Sequence, residues 1–211
     1  MAAPRALLFD AMGTLIGLRH SVGHTYAAAA AEHGLHVEAA AIDQHFPRLF
    51  RQAPPLAFPH LHEATALHDA EVQWWGARIE AVLQACGAGP APIALQRQLF
   101  ERYRDPALWR VYDDVSPWLE TWHGRGLALA VVSNFDSRLP GLLEDLGLAR
   151  WLQTVVVSSQ AGAAKPSPKP FQLALEQLQL PAEQAWHVGD SPDDRLGAQA
   201  AGVRCVLVQR P

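Results

Sequence analysis

The sequence predicts an α/β fold in which one parallel sheet, covered by helices on both faces, carries a helical insertion. Apolar runs and helical patterns alternate five times when residues 5–10 are taken together with residues 111–211. Continuous apolar runs are typical of strands buried on both faces, and alternation with helices is typical of parallel sheets. Residues 16–110 instead show helical periodicity and no convincing strand. We therefore predict a core domain (1–15 and 111–211) and an inserted helical domain (16–110).

The composition is that of an ordinary globular domain. Of the 211 residues, 49% are hydrophobic and 18% are charged, and the net charge is −4. Since no basic run stands out, nucleic acid is not expected as a partner, because its binding depends on Lys and Arg contacts to phosphates. We interpret Cys86 and Cys205 as buried thiols, and we find neither a secretory signal nor an apolar run of membrane length. We therefore expect a cytoplasmic protein without membrane contact, whose oligomeric state the sequence leaves open.

Capping and breaking residues define the helices of the insertion. Ser21 caps the first helix and Gly34 ends it, whereas Pro47 breaks the second or starts another short helix. Apolar residues at three-and-four spacing from Asp69 predict a long amphipathic helix that ends before Gly87. The predicted helices span residues 21–33, 38–45, 69–86 and 91–103.

In the second part of the core, glycines end three of the four predicted helices and each helix is followed by an apolar run. The predicted helices span residues 115–123, 137–146, 168–178 and 192–201. The predicted strands that follow the first strand span residues 127–132, 154–157, 186–189 and 205–208.

Chemically useful residues lie where these strands end. Asp10 follows the first strand, Ser133 and Asn134 follow the second, Lys165 lies in the loop after the third, and Asp190 follows the fourth. Because the carboxyl ends of parallel strands meet at one edge, where open α/β sheets bind ligands, we expect these side chains to lie together.

With Asp193 and Asp194, which follow closely, the group would contain three or more carboxylates. Clustered carboxylates repel one another unless a cation neutralises them, and a hard cation with oxygen ligands, such as Mg²⁺, does so. Lys165 can pair with Asp10 and with an anionic substrate, and the Ser133 hydroxyl can donate to phosphoryl oxygens. Since carboxylates are nucleophiles in phosphoryl transfer, the pattern favours attack by Asp10 on an electrophile within an anion.

Four segments occur in order along the chain. They are FDAMGTL (residues 9–15), VSN (132–134), KP (165–166) and GDSPDD (189–194). Together they resemble the four motifs of the haloacid dehalogenase-like (HAD) superfamily. The resemblance implies a Rossmann-like core with strand order 3-2-1-4-5, a helical cap inserted after the first motif, and a covalent aspartyl intermediate on Asp10.

The resemblance also implies a role for each matching residue. It implies Mg²⁺-dependent hydrolysis of a small phosphorylated metabolite. The implied catalytic residues are Asp10, Ser133 and Lys165, and the implied substrate contacts are Thr14, Ser133, Asn134 and Lys165. The implied metal ligands are the Asp10 carboxylate, the Met12 main-chain carbonyl and Asp190, with Asp194 supporting.

Met12 departs from the pattern, because HAD phosphatases usually carry a second Asp at this position. That Asp protonates the leaving oxygen and later activates water, and losing such help typically costs about 10²- to 10⁴-fold in rate. Three alternatives stay open: a hydrolase whose leaving group needs little protonation or receives its proton from the cap; a metal-independent dehalogenase; and a non-catalytic relative that binds metal or phosphate-bearing ligands. The presence of Asp190 and Asp194 argues against the dehalogenase.

Histidines are concentrated in the inserted domain. His20 and His24 lie soon after the first motif and are candidates to supply the missing proton. A zinc site among His33, His36, His60 and His62 is disfavoured, because no cysteine accompanies them and their spacing does not complete a set of zinc ligands.

Overall fold

The computed structural model describes residues 3–210, which form two compact units. The core unit contains the described residues up to Gly17, the segment Leu56–Leu67, and the described residues from Arg110 onward. The helical unit contains Leu18–Pro55 and His68–Trp109. The sequence-based division into 1–15, 16–110 and 111–211 differs from these units mainly in the segment Leu56–Leu67, which packs with the core.

Five parallel strands form the sheet of the core unit. In chain order the strands of the protein are β1 (Ala6–Phe9), β2 (Ile16–Leu18), β3 (Trp109–Val111), β4 (Ala128–Ser133), β5 (Thr154–Val157), β6 (Ala185–Gly189) and β7 (Arg204–Leu207). The sheet order is β5-β4-β1-β6-β7, and every described pair in it is parallel. This confirms the predicted α/β fold and, counting core strands alone, the order 3-2-1-4-5.

Nine α-helices complete the described chain. They are α1 (Val22–Glu32), α2 (Ala39–Arg51), α3 (Ala64–Ala85), α4 (Ile93–Arg102), α5 (Val115–Gly124), α6 (Leu139–Asp145), α7 (Ser158–Ala161), α8 (Lys169–Leu178) and α9 (Pro192–Ala200). No helix within residues 3–210 is both long and apolar enough to cross a membrane.

The core sheet is buried on both faces. On one face Leu8 packs with Phe171 and Ala198 in a cluster of buried side chains. On the other, the ring of Phe9 stacks on Trp122 with 5.7 Å between ring centroids. Burying a side chain such as Leu8 stabilises the fold by about 2 kcal/mol. Because β1 is central and covered on both sides, its carboxyl end is held firmly.

Two expectations about the inserted region are wrong. The short strands β2 and β3 pair as a two-stranded sheet, so the stretch 16–110 is not purely helical. Pro47 neither breaks nor starts a helix, because it lies inside α2. An interior proline costs about 3 kcal/mol, but Ile42 is buried in the core of the helical unit and Phe46 packs against that core. This burial outweighs the missing backbone hydrogen bond.

Candidate active site

Asp10 lies at the carboxyl end of the central strand. Its N–H donates to Val188 O at 2.9 Å, so the sheet hydrogen bonding continues through it, and its side chain is buried. The next residues form a tight loop in which Gly13 N donates to Ile16 O at 2.9 Å. Gly13 has a φ of +81°, and a Cβ there would come within 2.5 Å of Asp190 Oδ2. A glycine is therefore required both by the backbone conformation and by the approach of Asp190.

Lys165 reaches the end of the central strand from the loop before α8. Its Nζ donates to Asp10 Oδ1 at 2.6 Å, to Asp194 Oδ1 at 2.6 Å and to Val132 O at 3.0 Å. Burial alone would favour the neutral amine, but the attraction of Asp10 and Asp194 outweighs it and raises the pKa of Lys165. Lys165 is therefore a buried, fully bonded cation.

Asp194 uses both of its carboxylate oxygens within the protein. Oδ1 accepts from Lys165 Nζ and, at 2.8 Å, from His187 Nε2. Oδ2 accepts from the backbone N–H groups of Asp190 (3.3 Å) and Ser191 (3.1 Å) and from the Ser191 hydroxyl (2.6 Å). Burial opposes ionisation, but the hydrogen bond from His187 and the charge of Lys165 hold the pKa of Asp194 well below its usual range. This carboxylate therefore orients its neighbours.

Ser191 and Asp194 form a capping box at the start of α9, in which each side chain bonds the other's backbone N–H. A Cβ at Gly189 would collide with the Asp194 carboxylate. Glycine at the end of β6 therefore allows Asp194 to approach the sheet, and the capping box fixes its rotamer.

His187 completes the buried network, and the sequence alone assigned it no role. It is 0% exposed, and its ring packs edge-on against Phe171 with 4.9 Å between centroids. Burial lowers the pKa of His187, so the neutral ring donates from Nε2 to the ionised Asp194. Nδ1 has no hydrogen-bond partner within residues 3–210. The available sequence signal was a histidine inside a predicted buried strand.

Asp190 and Met12 form the exposed part of the cluster. Asp190 is exposed, and Met12 is 42% exposed. Burial, and then the charges of Asp10 and Asp194, raise the pKa of Asp190 above its ordinary value. One carboxylate oxygen from each of Asp10, Asp190 and Asp194 lies within 4.8 Å of the others. Three carboxylates therefore lie close to one lysine, which bonds two of them, and the surplus negative charge suits a hard cation.

The other predicted site residues lie nearby in different roles. Ser133 is the buried last residue of β4. Asn134 Oδ1 accepts from Lys165 N at 2.7 Å, and its Nδ2 donates to Lys165 O at 3.0 Å, so this amide clamps the lysine loop. Thr14 is 1% exposed, and its Oγ1 has no partner in the part of the chain that the structure describes. The predicted substrate contacts of Thr14, Ser133 and Asn134 stay predictions.

Arg210 braces the loop that follows Asp10, and the sequence alone did not indicate it. Its Nε and Nη2 donate to Thr14 O at 2.9 and 2.7 Å, and its Nη1 pairs with Asp114 at 2.7 Å. The guanidinium lies 4.6 Å from the ring centroid of Tyr112. The main chain at Thr14 is thereby tied to the residues that follow β3.

The two histidines considered as proton donors lie in the helical unit. The ring centroids of His20 and His24 are 4.8 Å apart, where α1 begins. Their role stays a prediction. Among residues 3–210, the group of three or more side chains that could together hold a metal ion is Asp10, Asp190 and Asp194. This carboxylate cluster contains no histidine.

Comparison with known proteins yields one family. Residues 4–202 match the haloacid dehalogenase-like hydrolase family. The chain is 38% identical over 212 residues to haloacid dehalogenase-like hydrolase domain-containing protein 3 of Bos taurus, a match covering 98% of this chain and 82% of that protein. It is 33% identical over 180 residues to phosphoserine phosphatase of Thermus thermophilus, covering 77% of this chain and 71% of that one.

Solved structures share the fold at lower identity. CbbY from Rhodobacter sphaeroides in complex with phosphate superposes with a TM-score of 0.70 at 21% identity, covering 99% of this chain and 87% of that one. The HAD-hydrolase YfnB from Bacillus subtilis, bound to magnesium, gives 0.71 at 21% identity, covering 97% and 86%.

Proposed function

This chain belongs to the haloacid dehalogenase-like hydrolase family, and on that basis we propose that it is a Mg²⁺-dependent cytoplasmic phosphatase acting on a small phosphorylated metabolite. Relatives in the family include phosphoserine and phosphoglycolate phosphatases. The observation that carries the proposal is the hydrogen bond from Lys165 Nζ to Asp10 Oδ1, next to two further carboxylates. This arrangement supports an oriented Asp10 nucleophile in a site whose negative charge exceeds the positive charge of Lys165.

Asp10 is the proposed nucleophile. Within residues 3–210, the hydrogen bond to its carboxylate is at Oδ1, which leaves Oδ2 for attack. Oδ2 forms a bond to phosphorus while the bond from phosphorus to the leaving oxygen breaks, giving an aspartyl phosphate. Water then attacks phosphorus while the bond from phosphorus to Oδ2 breaks, which releases inorganic phosphate and regenerates the Asp10 carboxylate. Lys165 holds the carboxylate in its attacking orientation and offsets charge on the reacting groups, and the Ser133 hydroxyl donates to a phosphoryl oxygen.

The donor set fits a divalent cation, because it is all oxygen and its negative charge exceeds that of Lys165. Asp10, Asp190 and the Met12 main-chain carbonyl would hold the ion. Asp194 would support it indirectly, since both of its oxygens accept hydrogen bonds from the protein. When bound, Mg²⁺ would neutralise the surplus carboxylate charge and that of the phosphoryl group.

Met12 narrows the range of leaving groups. A methionine side chain carries no proton to donate, so the leaving oxygen departs as a stable anion or takes its proton from elsewhere. Acyl phosphates, phosphoanhydrides and aryl phosphates meet the first condition. We therefore expect these activated substrates to be turned over faster than simple alkyl esters.

The test is hydrolysis of p-nitrophenyl phosphate and acetyl phosphate, each with Mg²⁺ and with EDTA. We expect turnover with Mg²⁺ that Asp10→Asn lowers by about 10⁴-fold or more, since it removes the nucleophile. Asp193→Asn is the matched control, because Asp193 is exposed beside the site and is expected to leave the rate unchanged. Circular dichroism checks that both variants fold.

Other results of these assays would contradict the proposed function or establish one of its alternatives. Turnover that EDTA leaves unchanged, or a normal rate in Asp10→Asn, contradicts the proposal. Halide release from a 2-halo acid without metal would establish the dehalogenase alternative. Phosphate binding without turnover of either compound would establish a ligand-binding relative.

A further inference from the structure

His187 is a polar residue on an apolar face of the core sheet. In the parallel register of β1 and β6, it lies opposite Leu8. Since side chains alternate between the two faces of a strand, Ala185, His187 and Gly189 share one face, and all three are buried. On that face the ring of Phe171 packs edge-on against His187, with 4.9 Å between centroids. An aliphatic side chain would suit such surroundings, so packing alone does not account for the imidazole.

The imidazole has one bonded nitrogen and one nitrogen without a partner. Nε2 donates to Asp194 Oδ1 at 2.8 Å, whereas Nδ1 is buried and has no hydrogen-bond partner among residues 3–210. Because a neutral imidazole carries a single N–H and an ionised carboxylate can only accept, that proton lies on Nε2. A buried polar atom without a partner destabilises a fold. The favourable contribution of this ring is therefore the hydrogen bond from Nε2.

Asp194 Oδ1 joins His187 to Lys165. This oxygen accepts from two donors, His187 Nε2 at 2.8 Å and Lys165 Nζ at 2.6 Å. The other oxygen, Oδ2, is held by the capping box, where the Ser191 hydroxyl donates to it at 2.6 Å. His187 thus fixes the oxygen that faces Lys165. If its N–H were removed, Lys165 would be the donor left to Oδ1 within the described chain.

Lys165 in turn connects Asp194 to Asp10. Its Nζ donates to Asp194 Oδ1 and Asp10 Oδ1, both at 2.6 Å, and to Val132 O at 3.0 Å. An ammonium carries three N–H groups, so all of them are used. Nζ therefore cannot move toward one acceptor without weakening its bond to another. A displacement of Asp194 Oδ1 would be passed on to the bond between Lys165 and Asp10.

We propose that His187 is a positioning residue for the hydrolysis: its Nε2–H anchors Asp194 Oδ1, so that Lys165 holds Asp10 in its attacking orientation. The inference rests on the proposed function, because it takes Asp10 to be the nucleophile. His187 acts through two bonded side chains rather than by contact with the reacting groups.

Two substitutions at His187 separate its hydrogen bond from its packing. His187→Leu removes both the ring and the donor, whereas His187→Gln removes the ring but keeps an N–H at a similar distance from the main chain. With p-nitrophenyl phosphate and Mg²⁺, we expect His187→Leu to lower kcat about tenfold or more while changing KM less than about twofold. His187→Gln should recover most of the lost rate.

Phe171→Leu is the control for packing. It removes the ring that contacts His187 and leaves the hydrogen bond to Asp194 in place. We expect it to lower the urea midpoint of unfolding, because a buried ring is lost, while kcat stays within about twofold of the parent. Circular dichroism checks that all three variants fold.

A second readout needs no turnover. The chain has two lysines, Lys165 and Lys169, so labelling with ¹⁵N-lysine gives two side-chain ammonium signals, which Lys169→Met assigns. In EDTA and without substrate, we expect His187→Leu to shift the Lys165 signal and His187→Gln to keep it near the parent position. Both variants lack the imidazole, so the loss of its ring current affects them alike. The signal of the exposed Lys169 should not move in either.

Four results would overturn the proposal. These are an unchanged rate in His187→Leu, an unmoved Lys165 signal in that variant, a loss in His187→Gln as large as in His187→Leu, and an equal loss of kcat in Phe171→Leu. If the parent itself does not turn over p-nitrophenyl phosphate or acetyl phosphate, the phosphatase is contradicted. The Lys165 signal then decides alone whether His187 positions Lys165.

Discussion

The carboxylate cluster has a buried half and an open half. The buried half contains Lys165, Asp194 and His187, which are at most 5% exposed, and Asp194 accepts hydrogen bonds from the other two. The open half contains the exposed residues Asp190 and Met12. Asp10 belongs to both halves, since Lys165 takes one oxygen and the other is open to a ligand. The pKa shifts follow the same division: the pKa of Asp194 is lowered by its partners, and that of Asp190 is raised.

The difference between the two halves separates residues that hold the site in place from residues that are available to bind a ligand. Buried charges are tolerated only when paired and hydrogen-bonded, and a fully bonded network fixes the geometry before any ligand arrives. The exposed acid, held near like charges, gains most from a cation. The variants below break the buried half or alter the open half, and they are ordered from the largest expected effect to the smallest.

Removing Lys165 should cause the largest change. Lys165→Met leaves Asp10 and Asp194 without their shared cation, and breaking a buried ion pair in this way costs about 3–5 kcal/mol. Urea unfolding measures the loss. The other lysine, Lys169, is exposed at the start of α8, so Lys169→Met should cost under about 0.5 kcal/mol. Equal losses in the two variants would show that the buried network does not carry stability.

Changing Met12 tests the open half. Met12→Asp restores a carboxyl group at an exposed position, and we expect it to raise turnover of unactivated alkyl phosphates by about 10²-fold relative to p-nitrophenyl phosphate. Met12→Asn is the control, since it is polar and similar in size to Asp but cannot exchange a proton. If both variants leave the ratio of the two rates unchanged, proton transfer to the leaving group does not limit this protein.

The core of the site was predictable because its determinants are local. Asp10, Lys165 and Asp190 each follow a buried strand, so strand ends and parallel order sufficed to bring them together. Asn134 was predicted as a substrate contact, which stays a prediction. Its amide also bonds the backbone of Lys165, a contact between residues 31 apart that no local pattern reveals.

What could not be predicted depends on packing at a distance. Pro47 favours a helix break locally, and the packing of Ile42 and Phe46 in the helical unit overrides it. The segment Leu56–Leu67 lies within the predicted insertion 16–110, yet hydrogen bonds with Ser158 and Ser159 fix it to the core. Arg210 is far from Thr14 in sequence, and nothing near either residue indicates their contact.

Acid should weaken the contribution of Asp194. Because the folded protein lowers the pKa of Asp194, this carboxylate contributes stability above its unfolded pKa of about 3.9, and that contribution is lost as the pH falls toward the folded value. In EDTA, Asp194→Asn should therefore cost about 2 kcal/mol at pH 7, and the difference from the parent should shrink below about pH 4.

Urea unfolding between pH 7 and pH 3 measures this convergence. Gln199→Asn provides the control, since it changes an exposed side chain that has no ionisable group and therefore adds no pH-dependent difference from the parent. A cost of Asp194→Asn that stays constant with pH would mean that the ionised form is not the stabilising one.

Arg210 should give the smallest effect, because its side chain is partly solvated and its partner Asp114 is more exposed. Arg210→Ala removes two hydrogen bonds to Thr14 O and the stacking on Tyr112, and we expect a loss of about 1 kcal/mol. Arg150→Ala, which removes stacking on Trp151, is the matched control.

Since Thr14 lies in the loop carrying the Met12 carbonyl, Arg210→Ala should also raise the Mg²⁺ concentration needed for half-maximal rate a few-fold, which Arg150→Ala should not. Arg210→Lys should fall between the parent and Arg210→Ala, because an ammonium keeps the ion pair but not the forked contact. A loss of stability without a change in Mg²⁺ dependence would limit Arg210 to holding the chain together.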